Sequence, residues 1–361
     1  MSDSYGAYKV LLLPGDGIGV EVVGAAREVL DAAAERYGFE IEYEERLAGA
    51  AVIRQEGAPI SEETLQAARD SDAVLLGAVG HPDYDGGAVR PEAGLLKLRA
   101  ALEVFANLRP VASNPALTPY SPLRPEVVEG VDLLIVRELT GGMYFGEKEE
   151  AGESGDRASD SVVYTSGEIE RVARVAFEAA RGRSGRLTSV DKANVVATSR
   201  LWRRVVNEVA ADYPDVELEH VLVDAAAMYL VQSPKRFDVL VTENLFGDIL
   251  SDEAAMLPGS MGMLPSASLG APGKPGLYEP VHGSAPDIAG QGVANPYAAI
   301  LSAALLLRHS LGQEEAADAI ERAVHTSTGS GILTRDLGGE RDTKEATRAV
   351  LDHIVNAQKE A

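Results

Sequence analysis

Short, largely apolar runs recur along this chain, at Val10 to Leu13, Ala73 to Leu76, Val131 to Val136, Leu187 to Val190 and Val239 to Thr242, separated by stretches that include helical spacing. A run without a polar face has nothing to show to water, so each must be buried on both sides, as strands are in a parallel sheet covered by helices. Parallel neighbours need long crossovers, and the intervening amphipathic stretches, such as Val20 to Tyr37, Ser166 to Arg181 and about Ser199 to Ala211, supply them. The pattern predicts an α/β protein with mixed, mostly parallel sheets flanked by helices. At 361 residues it is long enough for two domains, and the proline-rich passage Ser113 to Pro125 reads as the crossing from one into the other.

The charge balance narrows the partners. With 33 Lys plus Arg against 56 Asp plus Glu the net charge is −23, which repels phosphate backbones and anionic membrane surfaces, so neither nucleic acid nor a membrane is expected as a partner. The basic residues divide into 8 Lys and 25 Arg, and acidic residues run throughout, which suggests adaptation to high salt. Cysteine is absent, excluding disulfides, thiolate metal sites and a cysteine nucleophile. The apolar run near the N-terminus stops at Pro14, too short for a signal segment, and the longest apolar stretch, Ala298 to Leu307, reads as a buried helix; a cytoplasmic location is expected.

Several local patterns qualify the alternation. The turn Pro14-Gly15-Asp16-Gly17-Ile18-Gly19 joins a strand to a helix but departs from the glycine spacing of dinucleotide-binding turns, so a ligand-holding turn and a purely structural one stand as equal alternatives. Ser61 is placed to cap a helix carrying Glu62 and Glu63 in its first turn. The stretch Gly77 to Pro91, rich in glycine, reads as a functional loop, and Glu147 to Ser161 as an arm or mobile loop. Leu257 to Pro280 reads as irregular from its Gly, Pro and Ser content, and Asn295 with Pro296 starts a helix that is followed by helices from about Glu314 to His325 and Thr343 to Ala357.

Chemistry concentrates in VLVTENLFGDILSD, Val239 to Asp252, a buried strand turning into a helix that carries Asp248 and Asp252. Residues four apart share one helix face, and like charges there weaken a helix by a few tenths of a kcal/mol, about 0.2–0.5. A bound hard cation such as Mg²⁺ or Mn²⁺ would turn that cost into a use; a solvated acidic face is the alternative. Arg99, Arg109 and Arg137 stand at element ends as candidate carboxylate clamps or, singly, as surface ion-pair partners. Lys192 is a candidate base and Tyr144 a candidate acid, with a solvated lysine and a packed tyrosine as the plainer readings. The six histidines form no zinc-binding spacing, and neither a Walker A sequence nor a nucleophile elbow is present.

The stretches LLPGDGIG, LLKLR, FANLRP, VRELTGGMYFGE, SVDKANV, VDAAAM, TENLFGDILSD, LPSASLG and EPVHGSAPDIAGQGVANP stand together in one order over nearly the whole chain. In this the sequence resembles the isocitrate/isopropylmalate family of β-decarboxylating dehydrogenases. The resemblance implies a two-domain fold distinct from the Rossmann arrangement, with 1–104 plus 259–361 as one domain and 105–258 as the other, the latter pairing with a second copy in a homodimer with shared active sites. It implies NAD-dependent oxidative decarboxylation of a small substrate, 3-isopropylmalate, in leucine biosynthesis, with homoisocitrate, tartrate or malate oxidation, or a non-catalytic subunit, as alternatives. By the same resemblance Arg99, Arg109 and Arg137 hold substrate carboxylates, Leu95 and Leu96 meet its alkyl group, and Asp224, Asp248 and Asp252 bind Mg²⁺ or Mn²⁺, Asp224 coming from the partner subunit and also touching substrate. Lys192, also from the partner, removes the hydroxyl proton, and Tyr144 acts as the acid. The dinucleotide is implied to lie against Glu92, His282, Gly283, Ser284, Ala285, Pro286, Asp287, Ile288 and Asn295, with Asp287 before Ile288 favouring NAD over NADP.

Overall fold

Each of the apolar runs becomes a strand. The computed structural model describes residues 7–84, 87, 89–152 and 155–356. Expectations for the Gly77 to Pro91 loop at Asp85, Gly86 and Ala88, for the arm at Glu153 and Ser154, and for residues 1–6 and 357–361 lie outside the described residues. Contacts group the chain into two units, one of Met1–Val104, Asn114–Ser121 and Pro258–Ala361, the other of Phe105–Ser113 and Pro122–Leu257.

The first unit opens with strand β1 (Tyr8–Gly15), helix α1 (Gly19–Tyr37), β2 (Ile41–Glu45), α2 (Ala50–Glu56), α3 (Glu62–Arg69), β3 (Ala73–Ala78) and α4 (Glu92–Ala101). β1 pairs in parallel with both β2 and β3, Val10 lying opposite Tyr43 on one side and Ala73 on the other. The Ser61 hydroxyl accepts the Thr64 N–H at 3.1 Å and caps α3, as its position predicts. The turn between β1 and α1 is held by hydrogen bonds to its neighbours. The Ile18 N–H donates to Ser284 O at 2.8 Å, and the Asp16 carboxylate accepts the N–H groups of Ala50 and Gly80 at 2.9 and 3.0 Å. Gly17, at φ +57°, lies so close to the Ser284 carbonyl that a Cβ would come within 2.0 Å of it.

The second unit holds β4 (Ala106–Ala112), α5 (Pro125–Val128), β5 (Asp132–Glu138), β6 (Lys148–Glu149), β7 (Ser159–Asp160), α6 (Ser166–Arg181), β8 (Arg186–Asp191), α7 (Ala197–Ala210), β9 (Glu217–Leu222), α8 (Val223–Gln232), β10 (Val239–Thr242) and α9 (Asn244–Ala254). Its strands run in the order β4-β5-β10-β8-β9, with β4 antiparallel to β5 and the rest parallel. α6 starts in a capping box between Thr165 and Glu168 and buries Ile169, Val172, Ala176 and Phe177 along one face. Two expectations are corrected here. The strand ends read from the sequence differ at two places: Asn107 to Pro110, read as the end of a unit, lies within β4, and Asp224, read as closing a strand from Glu217 to Val223, lies in the first turn of α8, because the helix follows β9 without a break. The stretch expected as an arm carries the small antiparallel pair β6 and β7.

The chain returns to the first unit with β11 (Pro265–Leu269), β12 (Gly276–Pro280), α10 (Tyr297–His309), α11 (Glu314–Gly329) and α12 (Thr343–Asn356). β12 adds to β3 in parallel and to β11 in antiparallel, giving the order β2-β1-β3-β12-β11. The stretch expected to be irregular thus contains two fully ordered strands. α10 is the buried helix foreseen from Ala298 to Leu307; Ile300, Leu306 and Leu307 are wholly enclosed, each contributing about 1.5–3 kcal/mol on burial. Asn295 Oδ1 accepts the Tyr297 N–H at 2.9 Å, so the helix begins after Pro296 rather than with it. Asn114–Ser121, expected in the second domain, packs with the first unit: Asn114 Nδ2 donates to Thr328 Oγ1 at 2.7 Å, and the Tyr120 ring lies against Gly338.

Candidate active site

Strand register builds the centre of the site. β5 and β10 are parallel neighbours with Arg137 opposite Thr242, so the helix that follows β10 starts beside Arg137. Glu243 fixes that start, its side chain accepting the N–H groups of Phe246 at 2.7 Å and Leu245 at 3.2 Å. Gly247 lets the helix pass close to the stem of Arg137; a Cβ there would meet Arg137 Cγ at 2.6 Å. Asp248 and Asp252 then face the arginines from successive turns.

Arg137 is buried and donates from Nε and Nη2 to Asn244 Oδ1 at 3.1 and 2.8 Å, and from Nη1 to Asp248. Arg109, on β4, donates from Nε to Asn107 Oδ1 at 2.8 Å and from Nη1 to Ser251 Oγ at 2.6 Å and Asp252 Oδ1 at 3.2 Å. Its Nη2 lies 3.7 Å from Asp248. The turn Gly142–Tyr144 after β5 brings the Tyr144 hydroxyl to Asp248 Oδ2 at 2.6 Å, with the Arg137 guanidinium 5.6 Å from the Tyr144 ring centre. Burial, then the hydrogen bond to Asp248, pushes the Tyr144 phenol up to about 12, so it keeps its proton through neutral pH. Burial pushes the Asp252 carboxyl above the usual aspartate range against the pull of Arg109, and the Asp248 charge adds to that push.

A second cluster joins Lys192, just past β8, to Asp224 of α8, Nζ to Oδ1 at 2.6 Å. That bond holds the Asp224 carboxyl below its usual range. Among the described residues no three His, Asp or Glu side chains form a metal cage, so within one chain Asp224 does not join Asp248 and Asp252. The pair on α9 still suits a hard cation: its donors are all oxygen, and a positive charge between them would offset both the burial that raises Asp252 and the lesser push of the Asp248 charge.

In the first unit Arg99, at the end of α4, is buried and donates to Glu279 Oε1 of β12 at 2.8 Å. Glu92 is exposed at the start of α4, and Leu95 and Leu96 are half-buried on it. His282, Ile288 and Asn295 line a cavity of about 280 Å³ together with Ile18, Ser260 and Asp336. His282 Nδ1 contacts Gly283 O at 2.9 Å, while Nε2 is buried with no protein partner among the described residues. Burial holds this imidazole below its usual range and therefore neutral. An apolar hollow with one unmet polar atom fits a heteroaromatic ring such as adenine. Ser284 is buried and donates to Gly80 O at 2.7 Å, Ala285 sits at φ +39°, and Gly283, Pro286 and Asp287 are exposed on the loop surface.

The profile of the isocitrate/isopropylmalate dehydrogenases matches residues 9–354. The chain belongs to that family. Membership makes it an oxidoreductase of the β-decarboxylating kind, in a family that works with NAD and a divalent metal. It is 55% identical over 367 residues to a 3-isopropylmalate dehydrogenase of Geobacillus kaustophilus, covering 98% of both chains. It is 57% identical over 354 residues to one of Hahella chejuensis, covering 97% of this chain and 98% of that one. Among solved structures, an isocitrate dehydrogenase from Methylococcus capsulatus superposes with a TM-score of 0.87 at 38% identity, over 96% of this chain and 99% of that one. A β-decarboxylating dehydrogenase from Thermococcus kodakarensis gives 0.81 at 39% identity, over 98% of each chain.

Sequence reasoning missed the residues that hold the clamps, Asn107, Asn244 and Ser251, and those that complete the cavity, Ser260 and Asp336. Asn244 carries a usable signal, since an asparagine directly after a strand and an acidic cap is placed to reach the neighbouring strand's end. Ser260 and Asp336 carry none, being far apart in sequence and joined only by the fold, Oγ to Oδ2 at 2.6 Å.

Proposed function

We propose that this chain catalyses the NAD-dependent oxidative decarboxylation of (2R,3S)-3-isopropylmalate to 4-methyl-2-oxopentanoate and CO₂, a step of leucine biosynthesis. The observation that carries the reading is the meeting of two buried arginines, two carboxylates and one protonated phenol at a single point of the second unit. Names shared by relatives more than half identical over nearly their whole length support the choice of substrate.

When bound, NAD⁺ supplies the hydride acceptor for C2 and a divalent cation the Lewis acid that polarises the C2 oxygen. The chain's own residues divide the remaining work. Arg109 and Arg137, each fixed by several hydrogen bonds, orient substrate carboxylates, and their low exposure excludes competing water. Arg99 is assigned the same task on family resemblance alone. Lys192 accepts the proton of the C2 hydroxyl. Once CO₂ departs from C3, the electron pair left behind makes C3 basic, and the Tyr144 hydroxyl delivers the proton that closes the product.

The reading includes a homodimer in which Lys192 and Asp224 serve the site of a second copy. Its support is the apolar surface of α8 and α9, where Met228 is 65% exposed, Ile249 56% and Val231 47%. Light scattering should report twice the chain mass, and a monomer would overturn this part.

The test of the function is NADH formation from 3-isopropylmalate, NAD⁺ and Mn²⁺, with malate, tartrate, isocitrate and homoisocitrate in parallel and a chelator control. Chelator-sensitive turnover strongly favouring 3-isopropylmalate is expected. Preference for another of these acids would replace the substrate, and no turnover on any would refute the reading.

A further inference from the structure

Behind Arg137 lies a group of ionisable side chains that the chemistry above does not use. Glu138, next to Arg137 on β5, is wholly buried, as are most of Glu243, the cap of α9, and Tyr164, just before α6. Tyr164 Oη stands 3.2 Å from Glu138 Oε2 and 3.3 Å from Glu243 Oε2, and it accepts the Asn244 N–H at 3.0 Å. A phenol has one proton and so donates to only one carboxylate. Were both glutamates ionised, the second would face an oxygen lone pair with no hydrogen between, in a buried place where an unmatched charge is costly. The bonds close if one glutamate is protonated: it donates to Tyr164 Oη, Tyr164 donates to the other, and the Asn244 N–H fills the remaining lone pair.

The surroundings support a single charge. Glu138 accepts the Thr140 N–H at 2.9 Å, the Gly141 N–H at 2.8 Å and the Thr140 hydroxyl at 3.1 Å, while the Arg171 guanidinium of α6 stays 3.8 Å away. Glu243 has the two N–H groups of its cap, and Asp191 of β8, which lines the small space Glu243 shares with Tyr164, is bound by Arg203 at 2.8 Å from both Nε and Nη2, so this pair brings no spare positive charge. Arg137 and Tyr144 form the next layer on the substrate side. Burial, the largest influence on both glutamates, pushes each carboxyl above its usual range.

We infer that Glu138 and Glu243 share one proton through Tyr164 near neutral pH, and that this closed network is the positioning device for Arg137 and Tyr144. The positioning half rests on the proposed role of Arg137 as a substrate clamp. Asn244, whose backbone the network holds, accepts both Arg137 bonds on its Oδ1 and donates from Nδ2 to Gly141 O at 3.1 Å. Tyr164 packs against the turn that leads to Tyr144, so closely that a Cβ at Gly141 would come within 2.6 Å of its ring and one at Gly142 within 2.5 Å of its hydroxyl. Losing the shared proton at alkaline pH puts two charges around one hydroxyl and loosens Asn244, and with it the guanidinium.

Infrared difference spectra of the full chain, compared among wild type, Glu138→Gln, Glu243→Gln and Tyr164→Phe near neutral pH, test the shared proton without substrate. A protonated-carboxyl band that disappears in one of the glutamine variants is expected; a band unchanged in both overturns the inference whatever the enzyme acts on. Kinetics test the positioning. Tyr164→Phe removes the bond from the Asn244 N–H, the one that reaches Arg137, and should raise KM for the hydroxy acid about tenfold, while KM for NAD⁺ stays put. Glutamine at the protonated position, which can still donate to Tyr164, should keep the low KM and remove the alkaline limb of kcat/KM. A Tyr164→Phe protein that melts lower but keeps both KM values and the wild-type pH profile would make the network merely structural and refute the positioning role. If that variant does not fold, the pH profiles of the two glutamine variants decide, and profiles identical to wild type refute it.

Discussion

Replacing Gly247 with alanine sets helix propensity against packing. Inside α9 an alanine is worth about 1 kcal/mol more than glycine if its methyl meets nothing. Here it meets the root of Arg137, at 2.6 Å from Cγ, 2.9 Å from Cβ and 3.2 Å from Cδ. Carbon atoms in contact stand ~3.5–4.0 Å apart, so helix and side chain must separate by roughly 1 Å. Arg137 cannot swing aside cheaply, because its root belongs to β5 and its head is tied to Asn244 and Asp248. Overpacking of this kind costs about 1–3 kcal/mol, which exceeds the propensity gain and leaves a net loss of about 1 kcal/mol. That corresponds to a fall in Tm of ~2–4 °C. The functional loss is larger, since moving an orienting group by about 1 Å costs on the order of 100-fold in rate. Thermal unfolding together with kcat/KM for the hydroxy acid reads both effects. A variant that melts above the parent and keeps its kcat/KM would show that propensity wins and that the Arg137 position is not tightly set by α9.

Asp287→Lys combined with Ile288→Tyr should shift cofactor preference from NAD⁺ toward NADP⁺ in initial rates, because a cation replaces a carboxylate that repels a 2′-phosphate; unchanged selectivity would remove Asp287 from the ribose site. Asp238→Asn should destabilise the second unit in urea melts. Burial raises the Asp238 carboxyl, but hydrogen bonds from Ser184 and Arg183 outweigh it and hold the group below its usual range. Its stabilisation is therefore present above the unfolded aspartate value of about 3.9 and fades as pH falls through the lower folded value, so the gap between variant and wild type should close in acid. A gap that persists unchanged at low pH would refute the ionic origin. Lys192→Met should lower kcat by roughly 100-fold or more if the lysine is the base, and near-normal turnover would exclude it. With a net charge of −23, melting temperature should rise in molar KCl as self-repulsion is screened; a flat response would end the salt-adaptation reading.

The strands were legible because burial on both faces leaves an unbroken apolar run, as in Val74, Leu75 and Leu76, all enclosed. Asp248 and Asp252 were legible because a fixed helical spacing puts them on one face. β11 and β12 were hidden by small and proline-bearing sequences, PSASL and GLYEP, whose strand character comes from their neighbours rather than from their own residues. The start of α8 was hidden because the apolar end of β9, Val221 and Leu222, continues into VDAAAM without a breaking residue. Tyr164 had no local pattern at all; its role exists only where three separate segments meet.

The division of the chain has a consequence for its making. The sequence leaves the first unit after Val104, returns for Asn114–Ser121, and comes back for good only at Pro258. A nascent chain emerging N-terminus first therefore holds β3 with one edge unpaired until β12 is made, and α1 without the α10 it packs against, while the whole middle unit is already out. The middle unit can finish folding first; the outer one must wait with a bare, Leu-rich strand edge in the open. Shortening the chain by its last three helices would not trim a domain but leave one permanently half-built, and the waiting interval is when this protein is most exposed to sticking to another copy of itself.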